Sequence, residues 1–313
     1  MRVRPQILCT LSLLLVISTS FATGPGEGFL GRWDLTVTST SAEYPSWLEV
    51  SRADGKLMGR FVGRSGSVRP AEVQLVGEEI QFAPERPPRA KTQTAESYKG
   101  RLVAGKLEGT GADNQGNPVR WVGMKAVHRP APPREPRWGT PVSLFNGRDL
   151  EGWTFKSSRG RECWFVEQGI LVNKPPCPNI YSLQQFRDFK LHVEYNLDSG
   201  SNSGVYLRGR YEVQIADQGP RELDSHGVGA IYGFLAPTAK AAKKASEWQA
   251  FDITLIGYRV TVVFNGKTII DNQEIDGITG GALNSNEAAP GPIMLQGDHG
   301  RVQFRNIVGT PGN

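Results

Sequence analysis

Residues 204–215 read GVYLRGRYEVQI, two runs of alternating apolar and polar side chains on either side of a Gly209-Arg210 turn. Alternate side chains of a β-strand point to opposite faces of its sheet. The stretch therefore predicts a β-hairpin with one apolar face directed at a core. The polar side chains share the other face: Tyr206, Arg208, Glu212 and Gln214.

Segments on both sides of the hairpin have the same two-residue period. Residues 189–195 alternate cleanly, and residues 259–264 lead through an Asn265-Gly266 turn into another short apolar run. About a dozen such segments follow residue 140, and only residues 238–247 have a helix-like pattern. We expect a C-terminal two-sheet jelly roll.

Residues 24–128 also predict short strands, spaced eight to twelve residues apart and joined by Gly or Asp-Gly turns. This spacing indicates a small β-barrel or sandwich. Such a module more often serves as a spacer or docking domain, although the mouth of a barrel could hold a ligand. Nothing in it looks catalytic. The whole protein is thus predicted to be all-β.

The chain ends and linkers complete the predicted domain organisation. Residues 1–23 have a basic start, an apolar run and small residues before Ala22, the pattern of a secretory signal peptide. Residues 129–140 are rich in Pro and Arg and predict an extended linker. The jelly roll is expected over 141–313. We therefore expect an exported protein, periplasmic or secreted, without a membrane span after cleavage.

The composition and the cysteines limit the classes of protein to which this chain can belong. The 313 residues are 38% apolar and 21% charged, as expected of a soluble globular protein. The net charge is +5, without a block of like charge, and so a nucleic-acid partner is not expected. Cys163 and Cys177 remain after signal cleavage and can form a disulfide in an exported chain, or stay as buried free thiols.

The polar hairpin face is a candidate carbohydrate site. Carboxylates, an Arg and a Gln bind sugar hydroxyls well, and Tyr206 offers a flat surface for a pyranose. Glu194 would join them if its strand were adjacent. Two polar segments add His226, within 224–233, and His299, within 296–300. The alternative is a solvated sheet face with cross-strand ion pairs.

Several motifs in order carry a resemblance to a known family. Residues 144–153, LFNGRDLEGW, resemble the opening of the 3-keto-disaccharide hydrolase domain, and residues 201–215 resemble its NSG and YEVQI motifs. Further matches at 229–233 and 291–307 extend the resemblance over about 142–308. Residues 243–248 depart from the family pattern but keep Lys243 and Trp248. Residues 28–128 are similar, more weakly, to a small β domain that precedes this domain in some exported bacterial proteins.

The resemblance implies a concanavalin A-like jelly roll that acts on 3-keto-glycosides. The C3 ketone acidifies the hydrogen at C2, which permits β-elimination of the glycosidic oxygen followed by hydration, a net hydrolysis. This chemistry needs a base, an acid and a stabiliser of the enolate oxygen. The candidate catalytic residues are Glu212, Glu194, Arg208, Lys243 and His299. The candidate substrate-binding residues are Tyr206, Gln214, Asp217, His226, Tyr232, Trp248 and Gln296.

The assignment of these roles stays open at the level of sequence. Glu212 is the candidate base or acid, Arg208 or Lys243 the enolate partner, and His299 or His226 an alternative base. A divalent metal ion bound by Glu212, Asp217 or a His could replace the Arg. The competing functions are a non-catalytic carbohydrate-binding module, a plain glycoside hydrolase and a structural surface protein.

Overall fold

The computed structural model describes residues 26–64, 66–86, 94–126, 135–156, 160–217 and 223–313. Within these ranges the regular structure is β-strand, apart from two single-turn 3-10 helices at Glu27–Phe29 and Arg161–Cys163. The described residues include no helix long and apolar enough to cross a membrane. The predicted signal peptide and residues 129–134 of the predicted linker lie outside the described residues.

The N-terminal strands form a closed barrel. Each strand pairs antiparallel with the next along the chain, and the last pairs with the first. Large apolar side chains alternate into the interior, where Phe82 stacks on Tyr98 with ring centroids 4.8 Å apart. The strands are β1 (Gly31–Ser39), β2 (Glu43–Ala53), β3 (Lys56–Val62), β4 (Arg69–Val76), β5 (Glu79–Pro84), β6 (Ser97–Val103), β7 (Lys106–Ala112) and β8 (Pro118–Lys125).

The C-terminal strands form two packed antiparallel sheets, and the all-β jelly-roll prediction is confirmed. One sheet has the order β10-β13-β20-β15-β16, and the other β11-β12-β21-β14-β17-β18-β19, with β9 paired to β21. The strands are β9 (Val142–Ser143), β10 (Trp153–Phe155), β11 (Trp164–Glu167), β12 (Ile170–Asn173), β13 (Ile180–Phe186), β14 (Asp188–Leu197), β15 (Asn202–Leu207), β16 (Tyr211–Ala216), β17 (Gln249–Ile256), β18 (Arg259–Phe264), β19 (Lys267–Glu274), β20 (Gly291–Leu295) and β21 (Val302–Gly312).

The helix-like reading of residues 238–247 was wrong. The segment is irregular, and hydrogen bonds to the neighbouring sheet occupy its backbone. Thr238 N–H donates to Ile269 O (2.8 Å), and the Asn265 side chain donates to Ala241 O (2.8 Å). These tertiary bonds replace the local ones that a helix would make, so context overrides helix propensity.

A disulfide and a pair of backbone hydrogen bonds stabilise the edges of the sandwich. Cys163 and Cys177 are joined by a disulfide, with their Cα atoms 5.8 Å apart, which resolves the choice left open by the sequence. The end of the predicted linker lies against the last strand, because Arg137 and Asn313 exchange two backbone hydrogen bonds of 3.1 and 3.0 Å.

The barrel packs directly on the sandwich through Trp47. This side chain points out of the barrel, yet only 1% of it is exposed, because it belongs to the core cluster of the sandwich. Its Nε1 donates to Ile278 O (3.1 Å), and its ring lies 6.2 Å from that of Phe234. An ion pair between Arg60 and Asp276 (2.6 Å) borders the contact. The two parts of the chain therefore share a buried apolar interface.

We predict that Trp47→Ala destabilises the folded protein by about 3–5 kcal/mol, because it empties a buried volume that no other side chain can fill. Urea unfolding followed by tyrosine and tryptophan fluorescence and by circular dichroism measures the loss. Met58→Ala is the matched control: this barrel side chain is 51% exposed, and its loss is expected to cost less than about 0.5 kcal/mol. Equal stabilities of the two variants would contradict a docked barrel.

Candidate active site

The hairpin β15–β16 places the central side chains of the site. Tyr206 lies directly opposite Glu212, and Gly204 lies opposite Gln214. Val205 and Val213 point into the sandwich core, so Tyr206, Glu212 and Gln214 share the opposite face, as the sequence predicts. That face is not solvated: Tyr206, Glu212 and Gln214 are all buried.

Glu212 is a buried carboxyl group with a small set of polar contacts. Its Oε2 accepts a hydrogen bond from the Tyr206 hydroxyl (2.9 Å). The hydrogen-bond network orients the Gln214 amide so that its nitrogen donates to Glu212 Oε1 (3.2 Å) and to Ser203 O (3.1 Å). Burial raises the pKa of Glu212 to about 8, against the opposing effects of the Tyr206 hydrogen bond and of His299.

The Tyr206 hydroxyl serves both protonation states of Glu212. It lies 2.9 Å from Glu212 Oε2 and 3.0 Å from Gly280 O, but its single proton can be donated to only one of them at a time. When Glu212 is ionised, Tyr206 donates to the carboxylate. When Glu212 is protonated, its own O–H can donate to Tyr206, which then donates to Gly280 O. Burial holds the pKa of Tyr206 well above its ordinary value, so the phenol itself stays protonated.

Gly204 provides the space that the Glu212 side chain occupies. A Cβ at this position would lie 2.4 Å from Glu212 Oε1 and 2.9 Å from its Cγ. The residue was quoted in the NSG motif but was not singled out by the sequence reasoning. A glycine inside an otherwise regular strand is a signal of close approach by another group.

Asp298 and His299 form a second polar pair in the cleft. His299 Nδ1 lies 2.6 Å from Asp298 Oδ1. This hydrogen bond raises the pKa of His299 and lowers that of Asp298, so the pair favours an imidazolium beside a carboxylate. Asp298, which sequence reasoning quoted without a role, is thus the partner that sets the charge of His299.

Other cleft residues offer hydrogen bonds to a ligand. They are Asn179, Asn202, Tyr232 and Gln296. Gln296 is buried, and within the described residues its Oε1 has no hydrogen-bond partner. A buried acceptor without a partner costs free energy unless a ligand or water satisfies it. Gln296 therefore carries an unsatisfied buried acceptor in the wall of the cleft.

Arg208 does not lie on the face of Glu212, and the sequence prediction of its direction was wrong. Arg208 begins the turn with φ +53°, which ends the strand alternation one residue early. Its guanidinium instead donates to Gly257 O (2.8 Å) and lies 5.3 Å from the centre of the Tyr211 ring. It is buried away from the cleft.

Glu194 is on the other sheet, so the condition under which it would join the hairpin face is not met. Strand β14 pairs with β17 and β21, not with the hairpin. Glu194 accepts hydrogen bonds from Arg305 Nε and Asn306 Nδ2, each 2.6 Å long. Trp248 belongs to the same cluster, with the Arg305 guanidinium 3.9 Å above its ring.

Three further candidates also lie outside the cleft lining. Lys243 Nζ donates to Trp248 O (2.8 Å), beside the Glu194 cluster. Asp217 accepts hydrogen bonds from Ser199 Oγ (3.0 Å) and Gly200 N–H (2.8 Å), beyond the end of the hairpin. His226 packs edge-on against the cleft residue Tyr232, with ring centroids 5.1 Å apart. The structure thus brings together Tyr206, Glu212, Gln214, Tyr232, Gln296 and His299.

The barrel contributes one wall of the cleft, which sequence reasoning missed. The cleft has a volume of about 820 Å³ and lies between the hairpin face and one end of the barrel. The barrel side chains that line it include Tyr44, Arg64, Arg69, Glu96, Tyr98 and Asp113. Each of these residues sits in or next to a loop, and only the three-dimensional docking reveals that the loops meet the site.

The candidate metal ligands named from the sequence are Glu212, Asp217 and a histidine. Asp217 does not approach Glu212, and no group of three or more His, Cys, Asp or Glu side chains able to hold a metal ion occurs in the described part of the chain. The residues that converge on the cleft are instead suited to hydrogen bonding and proton transfer.

We predict that the pH dependence of stability reports the Glu212 carboxyl. Its pKa is about 8 in the folded state and 4.5 ordinarily, so between these values the folded state holds a proton that the unfolded state has lost. The free energy of unfolding should therefore fall as pH rises from about 4.5 to about 8 and level off above. Glu212→Gln should remove this slope, and urea unfolding at several pH values tests it. Parallel curves for the two proteins would contradict the assigned burial.

Comparisons with known proteins identify the family of the C-terminal part of the chain. The family model described as a 3-keto-alpha-glucoside-1,2-lyase-like domain matches residues 140–308. A comparison with curated proteins found no match. A solved structure of a proposed glycosyl hydrolase from Parabacteroides distasonis is 28% identical, with a TM-score of 0.46, and the match covers 59% of this chain and 93% of that one.

Two other solved structures are similar to part of the chain. Another proposed glycosyl hydrolase from Parabacteroides distasonis is 26% identical, with a TM-score of 0.44, over 55% of this chain and all of that one. The carbohydrate-binding module CBM66 from Bacillus subtilis is 13% identical, with a TM-score of 0.34, over 50% and 93% of the respective chains. The family match spans more than half of the residues, and the chain therefore belongs to the family of 3-keto-alpha-glucoside-1,2-lyase-like domains, a carbohydrate-active, glycosyl-hydrolase-like group.

Proposed function

We propose that the protein cleaves 3-keto-glycosides by proton abstraction at C2, β-elimination and hydration. The observation that carries the proposal is the buried Glu212 carboxyl, with a pKa of about 8, in a polar cleft of the family domain. A base with a raised pKa is strong enough to take a proton from carbon while still being partly ionised near neutral pH. Tyr206 supports the carboxyl group in both of its protonation states.

The proposed reaction balances without an external oxidant or reductant. Glu212 takes the C2 proton, and the C–H electron pair forms the enolate of the C3 ketone. The enolate then expels the glycosidic oxygen from C1, which leaves a C1–C2 double bond conjugated with the ketone. An acid protonates the departing oxygen. Water adds to C1 and a proton returns to C2, so the net result is hydrolysis.

The side chains that line the cleft determine which residues can stabilise the enolate, protonate the leaving oxygen and bind the sugar hydroxyls. Arg208 and Lys243 lie elsewhere, so the cationic role passes to His299, whose pKa the Asp298 hydrogen bond raises. An imidazolium there can stabilise the enolate oxygen or protonate the leaving oxygen. Gln214, Gln296 and Asn202 supply hydrogen bonds for the sugar hydroxyls, and Tyr232 borders the same space.

We also propose that the protein works outside the cytoplasm. The signal-peptide pattern of residues 1–23 supports export, as does the disulfide between Cys163 and Cys177. Disulfides form and persist in oxidising compartments and are rare in the cytosol.

We predict that Glu212→Gln lowers kcat on a 3-keto-glucoside by about 10²–10⁴-fold, because the variant has no base at C2. Glu194→Gln is the matched control, a carboxylate of the same sandwich that lies on the other sheet, and its kcat should stay within about twofold. Product formation by the purified full chain is measured with the 3-keto-glucoside and with the unoxidised glucoside, each with and without chelator.

Each outcome of this assay has a definite meaning. Cleavage of the keto form alone supports elimination. Cleavage of the unoxidised glucoside overturns the proposal in favour of a plain glycosidase, and binding without turnover of either compound leaves a carbohydrate-binding module. Loss of activity in Glu194→Gln but not in Glu212→Gln would move the catalytic role to the other sheet.

The pH profile separates the two possible roles of Glu212. A base must be ionised in the free enzyme, so kcat/KM should rise with pH up to about 8 and fall only where His299 loses its proton. The rising limb should disappear in Glu212→Gln, within the activity that remains. Initial rates from pH 5 to 9.5 test this expectation. A falling limb near pH 8 that disappears in Glu212→Gln would assign Glu212 as the acid instead.

A further inference from the structure

The end of the barrel that meets the sandwich is its loop-rich mouth. In this closed barrel the connections β3–β4, β5–β6 and β7–β8 all lie at one end, because the strands run up and down in order. Residues from each of these connections line the cleft: Arg64, Glu96 and Asp113. The mouth of the barrel therefore opens onto the same space as Glu212.

The β3–β4 connection is fixed against two loops of the active site. Gly281 N–H donates to Arg64 O (3.0 Å), next to Gly280, whose carbonyl accepts from Tyr206. On the other side, a Cβ at Gly233 would lie 2.3 Å from Ser67 Cβ, so only glycine permits this approach beside Tyr232. The barrel wall is thus held in register with the catalytic side chains.

The floor of the mouth is a preorganised polar network. Arg69 and Glu96 form a buried ion pair (2.7 Å), and the Tyr98 hydroxyl donates to the same carboxylate (3.0 Å). Asp113 accepts two backbone hydrogen bonds of 2.9 Å, from Gln115 and Asn117. Groups that are already bonded to one another keep their positions when a ligand enters, which lowers the entropic cost of binding.

Among the described residues of the mouth, Arg64 is a cation that can meet a ligand. Its guanidinium lies 5.7 Å from the centre of the Tyr44 ring, and among the described residues no carboxylate forms an ion pair with it. The side chain is exposed at the cleft. A guanidinium presents several N–H donors in a plane, which suits adjacent hydroxyl groups.

We propose that the barrel mouth is a subsite for the leaving-group sugar, with Arg64 and Tyr44 as its recognition residues. The inference rests on the proposed function, which places the oxidised sugar at Glu212. The cleft volume of about 820 Å³ is near the upper end of the range of roughly 300–1,000 Å³ for small-molecule sites, and so has room for two sugar rings. The carboxylates of Glu96 and Asp113 balance the cations of the mouth, which favours a neutral hydroxylated unit over an acidic one.

The test compares a substrate that reaches the mouth with one that does not. The probes are the 3-keto derivative of a diglucose disaccharide and a methyl 3-keto-glucoside. Arg64→Ala in the full chain should weaken binding of the disaccharide, and lower its kcat/KM, by about tenfold, the loss expected for one hydrogen bond from a charged donor. The methyl glucoside should change less than about twofold. Arg52→Ala, at the opposite end of the barrel, is the matched control and should change neither.

Calorimetric binding separates this inference from the proposed function. If wild-type protein turns over neither probe, the proposed activity fails, yet a selective loss of disaccharide affinity in Arg64→Ala still supports the subsite. Equal losses for both probes, or an unchanged affinity for the disaccharide, overturn it. Absence of disaccharide binding to the wild-type chain also overturns it, whether or not the methyl glucoside is cleaved.

Discussion

Burial of the Trp47 ring between barrel and sandwich is the contact on which the site depends. It removes a large apolar side chain from water at the barrel surface, and burial of such a side chain is worth about 1.5–3 kcal/mol or more. The same contact fixes the angle at which the barrel mouth meets the hairpin face. Without it, Tyr206 and Glu212 would lie on an open sheet, and the cleft would have one wall.

Closure of the site matters because the chemistry of Glu212 is set by desolvation. A carboxyl group on a solvated sheet face ionises near its ordinary pKa and is a weak base. Here burial outweighs the hydrogen bond from Tyr206 and the nearby charge of His299, so the pKa of Glu212 rises to about 8. Gly204 makes this burial possible, because the carboxylate occupies the volume that any other side chain would fill.

The hairpin face could be predicted from the sequence, because a two-residue period is local and survives in almost any sheet. The predictions that failed depended on contacts distant in sequence or on the local backbone conformation. The Arg208 side chain does not lie on the face of Glu212 because its φ angle is positive, and residue type alone does not reveal such a backbone conformation. The position of Glu194 stayed conditional because strand order decides which sheet a strand joins, and alternation within β14 carries no information about its neighbours. The helix prediction for residues 238–247 failed because the hydrogen-bond partners of this segment, Asn265 and Ile269, lie far away in sequence.

The contribution of the barrel was the largest omission, although one signal for it is present in the sequence. In Tyr44–Val50 the alternation predicts Ser46 and Leu48 inside the barrel, so Trp47 must point outward, where a large indole is out of place on a free surface. An outward tryptophan in a small barrel indicates a docking face. The loops at that end then become candidates for a site on whatever the barrel touches. Assigning these loops to a site requires knowledge of the sandwich surface that they contact, here Gly280 and Gly281. The assignment is therefore possible only from the structure of both parts of the chain together.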